Sequence, residues 1–98
     1  MANTEISEKQ DIKIKEPSLY NIILLNDNYT TMEFVTKVLQ TIFHKNIEEA
    51  NRIMLDVHNK GRGIVGKYTY DTAITKTQQV ERVAKDNQFP LKTIVEEA

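Results

Sequence analysis

Cysteine is absent from the 98 residues, which removes disulfides, thiolate metal ligands and cysteine nucleophiles together and suits a reducing compartment. A dominant sign of charge is absent too, because 13 Lys and Arg face 14 Asp and Glu for a formal net charge of -1. That balance offers no general attraction to nucleic acid phosphates or to an anionic membrane, so neither is expected as a partner. No apolar run approaches the roughly 18 residues of a membrane span, and Met1 to Lys15 lacks the apolar stretch of a signal peptide, so a cytoplasmic location is expected. Enzyme signatures are missing as well: there is no G-x-S-x-G, P-loop, G-x-G-x-x-G or H-E-x-x-H. The carboxylates are scattered, so no acid and base pair can be read and no catalytic residue is assigned. His44 and His58 stand far apart without an H-x-x-x-H or cysteine partner, so neither a metal nor a cofactor is expected.

What is present suffices for one modest core. Forty per cent of the residues are hydrophobic, and the length is that of one small domain. Residues 1–16 mix Lys, Glu, Asp, Ser and Gln with isolated Ile6, Ile12 and Ile14, which reads as a flexible tail. The brief alternation of Ile12 and Ile14 also permits a strand, but Pro17 follows and favours an extended approach to a domain spanning 17–98.

The run from Leu19 to Leu25 is apolar, partly β-branched and closed by Asn26, Asp27 and Asn28, which predicts a strand. Thr30 and Glu33 have capping-box spacing, and behind them Phe34, Val35, Val38, Leu39, Ile42 and Phe43 share one helical face over about thirteen residues. Asn46 and Glu49 repeat the capping pattern before a second stripe of Ile47, Ala50, Ile53, Met54 and Val57, which stops ahead of Gly61. After a Gly61-Arg62-Gly63 turn, Ile64, Val65, Tyr68 and Tyr70 predict a second strand. Thr69 or Asp71 can cap a third helix with core positions Ala73, Ile74, Thr77, Val80, Val83 and Ala84, ended by Phe89 and Pro90. Leu91 to Val95 supplies a last strand. The expected architecture is α+β in βααβαβ order, a three-stranded sheet with three helices packed against it.

Three features could carry chemistry. The cluster from Asn26 to Thr30 serves an Asx turn and a helix cap on composition alone. His58, near the end of the second helix, suits the helix dipole. Met32 and Met54 would ordinarily fill core gaps, yet Met32 falls in a first helical turn beside the polar cluster, where it could border a pocket.

Together these residues resemble a known family. The segment YNIILLNDNYTTMEFV at residues 20–35 is similar to the ClpS hallmark Y-x-V-I-L-x-N-D-D-Y-T-P-M-E-F-V, and Met54-Leu55-Asp56-Val57-His58 resembles its M-x-x-V-H motif. The resemblance runs from about Pro17 to Glu96 and implies the βααβαβ fold already expected. It also implies a non-catalytic, monomeric adaptor that binds proteins beginning with Phe, Leu, Tyr or Trp (N-degrons). Its partner would be the N-terminal domain of a ClpA-type AAA+ unfoldase of the ClpAP protease. By position, Asn26, Asn28 and His58 would surround the substrate α-amino group, with Asp27 supporting their loop. Leu24, Thr30, Met32, Val35, Met54, Val57 and Leu91 would line or border the pocket for the first side chain, with Met32 as a gate against branching at Cβ. Asp71 and Lys76 would belong to the unfoldase-binding surface, and the tail would act on the unfoldase during transfer. Asn28 stands where the family pattern usually has a second aspartate, keeping an acceptor oxygen but losing a charge; Thr31 replaces the usual proline. Other readings of the pattern are a different interaction module, since the fold also resembles the carboxy-terminal domain of the ribosomal stalk protein, and a small enzyme using His58 or Asp27.

Overall fold

The computed structural model describes residues 18–98, so the tail expected over 1–16 lies outside the described residues. Within them the order is β1 (Leu19–Leu25), α1 (Met32–Thr41), α2 (Ile47–Lys60), β2 (Arg62–Thr69), α3 (Tyr70–Asp86) and β3 (Lys92–Glu97). This is the predicted βααβαβ order, with three antiparallel strands and three helices.

The most apolar strand takes the most buried place. β1 is central, flanked by β2 and β3, both antiparallel to it. Its pairing with β2 runs from Leu19↔Thr69 to Leu25↔Arg62, with a bulge where Ile22 faces Gly66 and Ile23 faces Ile64. Alternate β1 side chains point to one face, and Ile22 and Leu24 from that face join the core with no exposed surface. Against them pack Phe34, Val35, Val38 and Leu39 of α1, Ala50, Ile53 and Val57 of α2, and Ala73, Val80 and Ala84 of α3. Ile74, Thr77 and Val83, predicted as core in α3, are only half-buried.

Local hydrogen bonds shift several expected boundaries. α1 is capped by Thr31, whose Oγ1 accepts from Phe34 N–H at 3.1 Å. Thr30, the expected cap, is already held by Asp27, which accepts both its N–H and its hydroxyl. α1 closes at Thr41, earlier than its apolar periodicity suggests, although Ile42 and Phe43 stay buried beyond the last turn. α2 starts as expected, with Asn46 Oδ1 accepting from Glu49 N–H at 2.8 Å, but the Glu49 carboxylate pairs with Arg52 instead of reaching back. Gly61 caps α2 at φ 88°, a left-handed conformation that glycine adopts without steric cost.

Arg62 and Gly63 then belong to β2, not to a turn. At Gly63 an added Cβ would stand 2.9 Å from Ile53 O and 2.7 Å from Val57 Cγ2, so the missing side chain is what lets α2 lie closely on β2. Tyr70 opens α3 where its aromatic character predicted strand, and its ring meets Tyr20 edge-on at 5.1 Å. Thr69 is the N-cap by backbone, but its hydroxyl donates to Thr72 Oγ1 instead of accepting a backbone N–H. Leu91 precedes β3, which extends past Val95 to Glu97. None of the described helices is long and apolar enough to cross a membrane.

Candidate functional site

Where β1 ends, the chain is tied to the end of α2. Asn26 N–H donates to Gly61 O at 3.0 Å, and Gly61 N–H donates to Val57 O at 3.1 Å. Two backbone bonds thereby join the loop carrying Asn26 and Asn28 to the helical turn carrying Val57 and His58. Asp27 fixes the shape of that loop. Its Oδ1 accepts from the N–H groups of Tyr29 (2.7 Å) and Thr30 (2.6 Å), and its Oδ2 from the Thr30 hydroxyl (2.7 Å).

These bonds also decide the charge of Asp27. Burial would raise its pKa, but the bonds from Thr30 and Tyr29 outweigh it and hold the carboxyl below its ordinary value. A depressed carboxylate adds stability that is present above the ordinary range, near pH 4, and is lost as pH falls through the lower folded value. Asp27→Asn, which cannot accept at both ends, should therefore destabilise the domain by about 1 kcal/mol at pH 7. The difference in melting temperature between the two proteins should shrink as pH is lowered from 7 to 3. A gap that stays constant over that range would mean that the charge plays no part in holding the loop.

The loop, the first turns of α1 and the last turns of α2 line a half-open cavity of about 410 Å³. Its lining includes the polar side chains of Asn26, Asn28 and His58 and the apolar side chains of Met32, Val35 and Val57. Thr30, Thr31, Asp27 and Tyr29 complete the wall. Among the described residues no hydrogen bond occupies the side chains of Asn26, Asn28 or His58. Val35 and Val57 are buried floor residues, whereas Met32 is 46% exposed at the rim. Wider depressions of about 510 and 520 Å³ lie elsewhere, with several charged side chains in their walls and neither of the paired asparagines.

Eight of the expected site residues thus share one cavity: Asn26, Asp27, Asn28, Thr30, Met32, Val35, Val57 and His58. Three others do not line it. Leu24 is fully buried in the core, Met54 is half-buried against that core, and Leu91 borders a different depression beside Phe89 and Pro90. Asp71 and Lys76 sit on α3 around a separate, shallow depression of about 230 Å³. Lys76 is committed inward, its Nζ donating to Ile42 O at 2.9 Å and lying 5.9 Å from the centre of the Phe43 ring. Sequence reasoning assigned no part to Tyr29, or to the Gly61 carbonyl that anchors Asn26. Among the described residues no cluster of three or more His, Asp or Glu is placed to hold a metal.

Comparison with known proteins places the chain in a family. Residues 15–94 match the model of the family described as ATP-dependent Clp protease adaptor protein ClpS. The ATP-dependent Clp protease adapter protein ClpS of Wolinella succinogenes is 52% identical over 94 residues, which cover 96% of this chain and 90% of that one. Its counterpart in Acetivibrio thermocellus is 50% identical over 93 residues, 95% of this chain and 94% of the relative. Among solved structures, Agrobacterium tumefaciens ClpS2 bound to L-phenylalaninamide superposes with a TM-score of 0.81 at 36% identity, covering 85% of this chain and all of that one. A family model spanning most of the chain, relatives of similar length that share about half its residues and a shared fold lead to one conclusion: the chain belongs to the ClpS family, non-catalytic adaptors that deliver N-degron substrates to the ClpAP protease.

Proposed function

We propose that the cavity between the Asn26–Thr31 loop, α1 and α2 is where this adaptor holds the first residue of its substrates. The observation that carries this reading is that one cavity is lined both by Asn26, Asn28 and His58, whose side chains have no hydrogen-bond partner among the described residues, and by the apolar Met32, Val35 and Val57. L-phenylalaninamide, found in the similar Agrobacterium structure, has an α-amino group for the first set and an aromatic side chain for the second. The volume falls within the range of roughly 300–1,000 Å³ typical of small-ligand sites.

An α-ammonium presents three donors and needs acceptors. Asn26 and Asn28 supply amide oxygens, and an unprotonated nitrogen of His58 supplies a third acceptor directly or through a water. Asp27 sits behind them as a fixed negative charge, which offsets part of the charge that Asn28 lacks relative to the usual aspartate. Met32 at the rim crowds the position where a branch at Cβ would enter, so unbranched Phe, Leu, Tyr and Trp are the favoured first residues. Leu24, Met54 and Leu91 support this pocket from outside its lining. The exposed start of α3 around Asp71 is the surface for the N-terminal domain of a ClpA-type unfoldase; Lys76 shapes it by fixing α3 to the end of α1. Monomeric action in the cytoplasm, with the tail of residues 1–16 acting on the unfoldase, completes the reading.

The test is fluorescence anisotropy with labelled peptides that begin with Phe or with Ser and are otherwise identical. Burying a Phe side chain contributes roughly 1.5–3 kcal/mol, so the Phe peptide should bind at least about tenfold more tightly. Equal affinities with a folded protein would overturn the assignment of this cavity.

A further inference from the structure

Tyr29 is the one large side chain of the cavity wall for which first-residue capture gives no task. It is also the most exposed large apolar residue among those described, at 76%, and Met32 on the same wall is 46% exposed. Two of the seven exposed large apolar side chains therefore sit on the rim of a single cavity. Isolated apolar residues on a surface are ordinary, but two in the lining of one cavity offer apolar surface to whatever enters it. The Tyr29 backbone is held firmly, since its N–H donates to Asp27 Oδ1 at 2.7 Å, while its hydroxyl has no hydrogen-bond partner among the described residues. The residue is thus largely open to solvent while its backbone is tied to Asp27.

A peptide whose amine reaches Asn26, Asn28 and His58, and whose first side chain reaches Val35 and Val57, must turn its second residue out over that rim. Resting on the first-residue reading, we propose that Tyr29 with Met32 forms a subsite for the second side chain of the substrate, favouring an apolar or aromatic residue there. A tyrosine ring on a fixed backbone loses little conformational freedom on contact and offers a flat apolar face. The effect is a modulation, because the contact stays partly open to water.

The experiment compares Phe-Leu and Phe-Gly peptides that are otherwise identical, with L-phenylalaninamide as a competitor that ends before any second side chain. Wild-type protein should bind Phe-Leu about three- to tenfold more tightly than Phe-Gly. Tyr29→Ala, which leaves the backbone bond to Asp27 available, should erase that preference while changing the potency of phenylalaninamide by less than twofold. Tyr29→Phe should retain the preference, since the ring carries it. Equal wild-type affinities for the two peptides would overturn the subsite, and so would a parallel loss of both peptides and phenylalaninamide in Tyr29→Ala, which would show that Tyr29 only shapes the loop. Failure of phenylalaninamide to compete at all on wild-type protein would instead overturn first-residue capture, and the subsite with it.

Discussion

Acetylating the α-amino group of a Phe-initiated peptide should weaken its binding by at least about 100-fold. The modification removes the positive charge, leaves one N–H where there were three donors, and adds bulk at the amine. Hydrogen bonds to a charged group are each worth about 1.5–3 kcal/mol, and Asn26, Asn28 and His58 all line the cavity in which the amine is proposed to sit. Losing two such bonds costs about 3–6 kcal/mol, and each 1.4 kcal/mol is tenfold in affinity. The acceptors would also be left desolvated and unpaired, which adds to the loss. Competition against the labelled free peptide measures the effect directly. An acetylated peptide that competes within tenfold of the free one would mean that the asparagines and His58 do not read the amine, and that the cavity selects by side chain alone.

The order of elements was legible because the apolar runs are cleanly separated by turn-forming residues. LYNIILL, too short for a helix and closed by Asn26-Asp27-Asn28, could only be a strand, and two amphipathic stripes with caps had to be tandem helices. What was hidden depended on competition between neighbours. Thr30 and Thr31 both offer a hydroxyl three residues before a possible partner, and only the prior claim of Asp27 on Thr30 hands the cap to Thr31. Tyr70 has the aromatic character of a strand residue, yet it meets Tyr20 from the first turn of α3.

The same distinction governs the site. The polar residues that meet at the cavity come from two motifs far apart in sequence, and their convergence follows from the Asn26 to Gly61 bond, which a residue pattern cannot display because it is made by backbone atoms. Apolar character, on the other hand, does not encode depth. Leu24 and Val35 look alike in a pattern, but Leu24 points into the sealed core while Val35 forms floor. Tyr29 was overlooked for the converse reason. Its ring faces water, and its place on the rim is set by a bond to its backbone, not by its own chemistry.

That backbone junction makes Gly61 the most exacting position outside the core. At φ 88° any other residue is strained, and an L side chain in this conformation costs roughly 1–2 kcal/mol, more when branched at Cβ. The strain is purely conformational, since a Cβ built there meets nothing within 4 Å. Gly61→Val should therefore cost about 2 kcal/mol, a large part of the roughly 4–12 kcal/mol expected for a domain of this size. The melting temperature should fall by about 8–16 °C. Gly61→Asn should be milder, because asparagine tolerates the left-handed region. Affinity should follow the same order at a temperature where all three proteins are folded. Relaxing the backbone at residue 61 disturbs either its bond to Val57 O or the one it accepts from Asn26, and so moves Asn26 away from His58. Calorimetry and peptide anisotropy on the three proteins would measure both effects. If Val proved as stable as Asn, the left-handed cap would not be what holds the junction. If stability fell while affinity for the Phe peptide did not, the tie between the end of α2 and the Asn26 loop would have no part in binding.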